Sequence, residues 1–204
     1  MYKVFIENRE VVFVNSQKSN QFTAGISEDE LMNDLMDLRH LASLNPTDEP
    51  FTIYCKDAQQ AWERYFGSYQ FIHAAGGVVI KEGKWLFIER EQRIDLPKGH
   101  LEPNEQVSEG AAREIAEECG IFPLTLVDFI GSTHHTYEFQ SNPVLKKTDW
   151  FLFRYDGYKC GTPQMEEGIE AVHWLTWEEI STSLSDMFRS IQLVVQLTKA
   201  MIGD

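Results

Sequence analysis

The alternation of apolar and polar positions divides the chain into a first part of short mixed elements and a longer second part rich in strands. Residues 3–14, KVFIENREVVFV, place two apolar runs around a turn at Glu7–Glu10, the pattern of paired strands. Ser27 followed three residues later by Glu30 has capping-box spacing. It opens a helix in which Leu31, Leu35, Leu38 and Leu41 share one stripe. FTIYC, residues 51–55, reads as a strand after Pro46 and Pro50. A second amphipathic helix follows Asp57, with Ala61, Trp62, Tyr65 and Phe66 at helical spacing. The predicted order is ββαβα, a small sheet covered by two helices, and this stretch carries no chemical motif.

The pattern changes at Ala74. AAGGVVI and WLFIER flank the turn KEGK, which predicts a hairpin of buried strands. RIDLPKGHLEPNEQ then reads as a polar loop, and a helix runs from Val107 to Cys119. Gly120 suits the left-handed position that ends such a helix. Strands are expected at LVDFIGSTH, TYEFQ, DWFLFRYDG and AVHWLTW, followed by a helix from Trp177–Glu178 and another over 186–202. The expected organisation is an α/β chain of two domains: residues 1–70, small and of unassigned role, and residues 71–204. No Pro/Gly-rich linker separates them, and there is neither an internal repeat nor a low-complexity stretch.

Composition narrows the function classes. The chain has 204 residues, 43% of them hydrophobic and 25% charged, which is ordinary for a globular protein. Asp and Glu outnumber Lys and Arg by 32 to 18, which argues against non-specific binding of nucleic acid or of an anionic membrane. Anionic substrates stay possible, because a bound cation inverts local charge. No apolar run has the length of a membrane span, and the start MYKVFIENRE has no leader pattern. Cys55, Cys119 and Cys160 are far apart and form no CxxC pair, so they read as core thiols in a reducing, cytoplasmic setting.

The acidic helix carries the candidate chemistry. Glu114, Glu117 and Glu118 lie at spacings of three and four, hence on one face, where like charges cost about 0.2–0.5 kcal/mol per pair. Ala111, Ala112, Ile115 and Cys119 form an apolar stripe that should face the sheet, with the three carboxylates together at its side. Taken alone, such a cluster reads most simply as a solvated acidic face. It also suits a hard divalent ion, which takes oxygen ligands and turns the repulsion into attraction to one charge.

The surrounding spacing decides between these readings. Residues 99–121, GHLEPNEQVSEGAAREIAEECGI, contain Gly99, five residues, Glu105, seven residues, then REIAEECGI. This resembles the Nudix box, G-x5-E-x7-R-E-U-x-E-E-x-G-U with U apolar, at every defined position. The resemblance extends over about residues 74–204 and implies the α/β/α sandwich of Nudix hydrolases, with a mixed sheet. It implies metal binding by the Gly99 carbonyl, Glu114, Glu117 and Glu118, with Glu117 as the catalytic base. Arg113 and Glu105 are expected to form an ion pair that orients the helix and loop. Mg²⁺ is the implied cofactor, with Mn²⁺ as a substitute.

LPKG, residues 96–99, is similar to the subgroup acting on dinucleoside polyphosphates and diphosphoinositol polyphosphates. Lys98 then meets a substrate phosphate, as does Lys147 in LKKTDWFLF, and Tyr137 in HHTYEF stacks on a base. His134 and His135 are adjacent on a strand and point to opposite faces, so they do not form a metal pair. Glu166, Glu167 and Glu170 precede an apolar strand and read most simply as a solvated loop, although the resemblance also allows a further ligand or base from it.

The implied reaction is hydrolysis of a small-molecule phosphoanhydride, a nucleoside diphosphate linked to another moiety. The competing readings are a non-catalytic Nudix module that senses a nucleotide metabolite, and removal of pyrophosphate from RNA 5′ ends. For residues 1–70, homodimerisation, a lid and substrate selection are the open roles.

Overall fold

A computed structural model describes residues 1–16, 25–28 and 49–203. The chain forms two compact units. The first holds Met1–Ile72 and Thr133–Lys146, and the second His73–Ser132 and Lys147–Asp204.

In the first unit, β1 (Tyr2–Ile6) and β2 (Arg9–Asn15) pair antiparallel through a tight turn. Its central residues Glu7 and Asn8 both have positive φ, which matches the twist of the paired strands. β3 (Gly25–Ser27), absent from the sequence expectation, and β4 (Phe51–Cys55) run parallel, and β4 also runs parallel to β2. The helix expected through Leu31, Leu35, Leu38 and Leu41 lies outside the described residues. Asp57 caps α1 (Ala58–Phe66) by accepting from the Gln59 and Gln60 amides. This helix buries Ala58, Ala61 and Phe66 against Phe13, Ile53 and Cys55.

The second unit is built on β5 (Gln70–Lys81), β6 (Lys84–Arg90), β9 (Thr125–Phe139), β10 (Asn142–Arg154) and β11 (Ile169–Leu175). Their order is β11-β6-β5-β10-β9. Two short strands, β7 (Arg93–Asp95) on β6 and β8 (Lys98–His100) on β5, occupy the segment expected to be loop. β9 is continuous where two strands were expected, and its tip with β10 belongs to the first unit.

Alternation along the strands gives each face of this sheet its own core. Ala75, Val79, Leu86 and Ile88 pack against Ala111, Ile115 and Cys119 of α2 (Val107–Cys119). Val78, Phe87 and Trp150 pack on the other face against α3 (Trp177–Ser183) and α4 (Arg189–Ile202). The result is helix, sheet, helix, with strand pairs of both senses in the chain as a whole. Among the described residues no helix is long and apolar enough to cross a membrane.

α2 has the predicted bounds, and its apolar stripe faces the sheet as expected. Gly120 ends it with φ 68°, and its amide bonds to the Ala116 carbonyl at 2.9 Å. The Cys119 and Glu118 carbonyls accept from the Thr162 and Gln164 amides at 2.7 and 3.1 Å, so a distant loop completes the helix end. A Cβ on Gly120 would press on Thr162 at 3.2 Å and force a left-handed conformation on an L residue. Gly120→Ala is therefore expected to destabilise the second unit by about 1–2 kcal/mol in chemical denaturation followed by hydrogen exchange of α2 amides.

Candidate active site

β5, β8 and α2 come together, with β8 and the loop after it lying along the helix from Gly110 to Glu118. β8 pairs with β5 so that Gly99 stands opposite Ala75 and Lys98 opposite Gly76. The Gly77 amide bonds to the Pro97 carbonyl at 3.2 Å, and the Leu101 amide to the His73 carbonyl at 3.2 Å. These bonds fix the loop on the sheet. A Cβ on Gly99 would collide with the Glu114 carboxylate, so glycine there lets β8 touch the helix. Gly110, which the sequence reading passed over, does the same for the loop's other end: a Cβ there would meet Leu101 and Glu105.

The three glutamates do not share one environment. Glu114 and Glu118 are buried, whereas the Glu117 side chain is 51% exposed. Glu118 accepts the Lys98 amide at 2.8 Å. Burial pushes its carboxyl up to about 7, against the opposing pull of the Lys98 charge and amide. Burial likewise raises Glu114, with Arg113 working in the other direction.

Arg113 is the hub. Its Nε and Nη2 donate to the two Glu105 oxygens at 2.8 and 3.0 Å, and Nη2 also to the His100 carbonyl at 2.9 Å. Nη1 donates to Glu114 at 2.8 Å and to Glu117 at 2.9 Å. The Arg113 bonds, with the Glu102 amide behind them, hold Glu105 down at about 2. Glu105 leads in raising Arg113 above the ordinary guanidinium range. Among the described residues, no group of three or more His, Cys, Asp or Glu is gathered to hold a metal ion. Each of the three glutamates is turned to an internal donor instead.

The predicted substrate residues each have a partner of their own. Lys98 directs its ammonium to Asp95 at 2.5 Å and to the Leu96 carbonyl at 3.1 Å. Lys147 bonds to Asp149 at 2.9 Å. Tyr137 lies in the first unit, its ring stacked on His135 at 5.6 Å. His134 packs instead on Trp62, as opposite strand faces require. Glu166 and Glu167 are exposed on a short 3₁₀ turn, and the Glu167 charge contributes to raising Glu114.

Two groups escaped the sequence reading. Asp95 is buried and grips Lys98, a pairing that only its three-residue spacing could have suggested. Asp149, also buried, accepts from Ser132, from His73 at 2.6 Å and from Lys147. Burial raises Asp149, but these donors together outweigh it and hold the carboxyl below its usual range. Three strands assemble this cluster, and no local motif announces it.

Comparison with known proteins identifies the domain. Residues 71–194 match the model of the NUDIX domain. An uncharacterised Nudix hydrolase, orf19 of Rhodococcus erythropolis, is 30% identical over 71% of this chain and 86% of its own length. The phosphatase NudJ of Escherichia coli (strain K12) is 32% identical over 62% of this chain and 87% of its own. Among solved structures, a Nitrosomonas europaea NUDIX hydrolase superposes with a TM-score of 0.53 at 20% identity, covering 65% of this chain and 90% of that one. A C. elegans Ap4A hydrolase gives 0.51 at 20% identity, covering 64% and 97%. These two likenesses speak for the fold. With the box and its glycine contacts in place, the chain belongs to the Nudix hydrolase family.

Proposed function

We propose that this hydrolase is a Mg²⁺-dependent pyrophosphohydrolase that cleaves a phosphoanhydride in a nucleoside diphosphate linked to a second moiety, such as a dinucleoside polyphosphate. The observation that carries this reading is the placement of Glu114 and Glu118, two buried carboxylates set against β8 at a residue that has no Cβ. Neither Arg113 nor Lys98 offsets their burial, so a further cation is the group that would stabilise them. The donor set is all oxygen, which suits Mg²⁺, with Mn²⁺ as a substitute.

Glu114, Glu117, Glu118 and the Gly99 carbonyl would hold the ion, which when bound neutralises phosphate charge and makes water a better nucleophile. Glu117 has the exposure needed to reach solvent and serves as the base. Water forms a bond to phosphorus, its proton passes to Glu117, and the bridging oxygen leaves with the electron pair of the broken bond. Arg113 and Glu105 orient the helix and loop during this step. Lys147 supplies positive charge for a remaining phosphate. Lys98 reaches substrate only by giving up Asp95. The intact box in the sequence favours hydrolysis over metabolite sensing, and the acidic chain favours small substrates over RNA ends.

A panel of diadenosine polyphosphates, ADP-ribose, nucleoside triphosphates, diphosphoinositol compounds and triphosphorylated RNA, assayed with Mg²⁺ and with chelator, tests the reading. Glu117→Gln is expected to lower turnover by about 10²–10⁴-fold with the fold retained, and near-normal turnover would refute its role as base.

The Glu118 shift has a separate consequence for stability. Its folded-state value lies above the ordinary 4.5, so its favourable contribution is complete below about 4.5 and is lost as pH rises through about 7. In chelator, Glu118→Gln is expected to be more stable than the parent at pH 8 by on the order of 1–3 kcal/mol, with the gap closing towards pH 5. Denaturant midpoints at the two pH values measure this, and a gap that does not change with pH would contradict it.

A further inference from the structure

Asp95 ends β7 and is almost fully enclosed, its side chain 11% exposed. One of its oxygens accepts the Leu96 amide at 2.7 Å, and the other takes the Lys98 ammonium at 2.5 Å. The Lys98 side chain is itself only 18% exposed. Lys98 thus has two attachments: its amide goes to Glu118, and its ammonium goes to Asp95 and the Leu96 carbonyl. Both Lys98 and Asp95 lie close enough to Glu118 for their charges to act on it.

An ammonium this poorly solvated does not stay unpaired when its partner is removed. An alternative anion already tied to the same residue is Glu118, which accepts the Lys98 backbone amide. Arg113 already shows what an internal cation does here, bridging Glu114 and Glu117 from a single nitrogen. With Lys98 turned to Glu118, all three glutamates would be neutralised from within, and a divalent ion would have to displace two side chains rather than one.

We propose that Asp95 is a positioning residue for the cation site. It holds the Lys98 ammonium beside Glu118 as a fixed counter-charge and prevents it from becoming an internal competitor for the carboxylates. This inference rests on the metal-binding reading above.

Calorimetric titration of Mg²⁺ into the full chain tests it, using Asp95→Asn, Lys98→Met and the double variant. Asparagine keeps an acceptor for the Leu96 amide, so the turn is preserved. Asp95→Asn is expected to weaken Mg²⁺ binding about tenfold, the size of a coupling between contacting charges. Lys98→Met binds Mg²⁺ at least as tightly as the parent, and adding Asp95→Asn to it has no further effect.

Equal losses in both backgrounds would mean that Asp95 acts only through its own charge, which overturns the proposal. Unchanged affinity in Asp95→Asn overturns it as well. Thermal unfolding of each variant separates these effects from misfolding. If Asp95→Asn does not fold, Lys98→Met decides, and weaker Mg²⁺ binding in that variant refutes the competitor role. A parent protein that takes up no Mg²⁺ removes the metal reading and this inference together, whereas Mg²⁺ uptake indifferent to Asp95 removes this inference alone.

Discussion

One helix has to pack against a sheet and also keep two carboxylates out of water, and the rest of the second unit answers to that requirement. Desolvating a carboxylate without a full partner costs several kcal/mol in principle. α2 accepts the cost at Glu114 and Glu118, and its neighbours limit it in different ways. Arg113 spreads one guanidinium over three carboxylates and a carbonyl. Lys98 contributes an amide and a nearby charge to Glu118. Glycines at 99 and 110 remove the side chains that would hold the loop away from the helix. The charge cluster is thus a packing problem as much as an electrostatic one, and it is solved mainly with backbone.

Much of this was legible in the sequence because it is local. The bounds of α2, its apolar stripe and the left-handed Gly120 follow from helical periodicity and from a residue type with one obvious use. The Glu105–Arg113 pair followed from box spacing. What stayed hidden has two physical causes. β7 is joined to β6 through Glu91 and Gln92, both at positive φ, without the Gly, Asn or Asp that usually marks such a turn. The same holds for Gln140 and Ser141 between β9 and β10. Strand pairing imposed those turns, so local propensity gave no warning. The Asp149 cluster draws on β5, β9 and β10, and its partners meet only when those strands are side by side.

The first unit follows different rules. Its core is dominated by aromatic contacts on one helix, with Trp62 and Phe66 at 4.5 Å and Phe13 meeting both of them and Tyr65. Such rings supply much buried area from few residues, which suits a small sheet with a thin core. The tip of the β9–β10 hairpin joins this unit, and Leu145 enters its core. A piece of chain from the middle of the sequence is therefore needed to finish the first unit, and a cut at residue 70 would leave it incomplete.

Gly76 has a quieter effect. Its backbone lies so close to Pro97 and Lys98 that even one methyl group would push that strand outward. The displaced strand carries both the Gly99 carbonyl and the amide that Glu118 accepts. A position with no reactive atom, on the opposite strand, thereby sets how closely β8 lies against the acidic helix. In a deep mutational scan it would sort with the glutamates, although it has no side chain of its own.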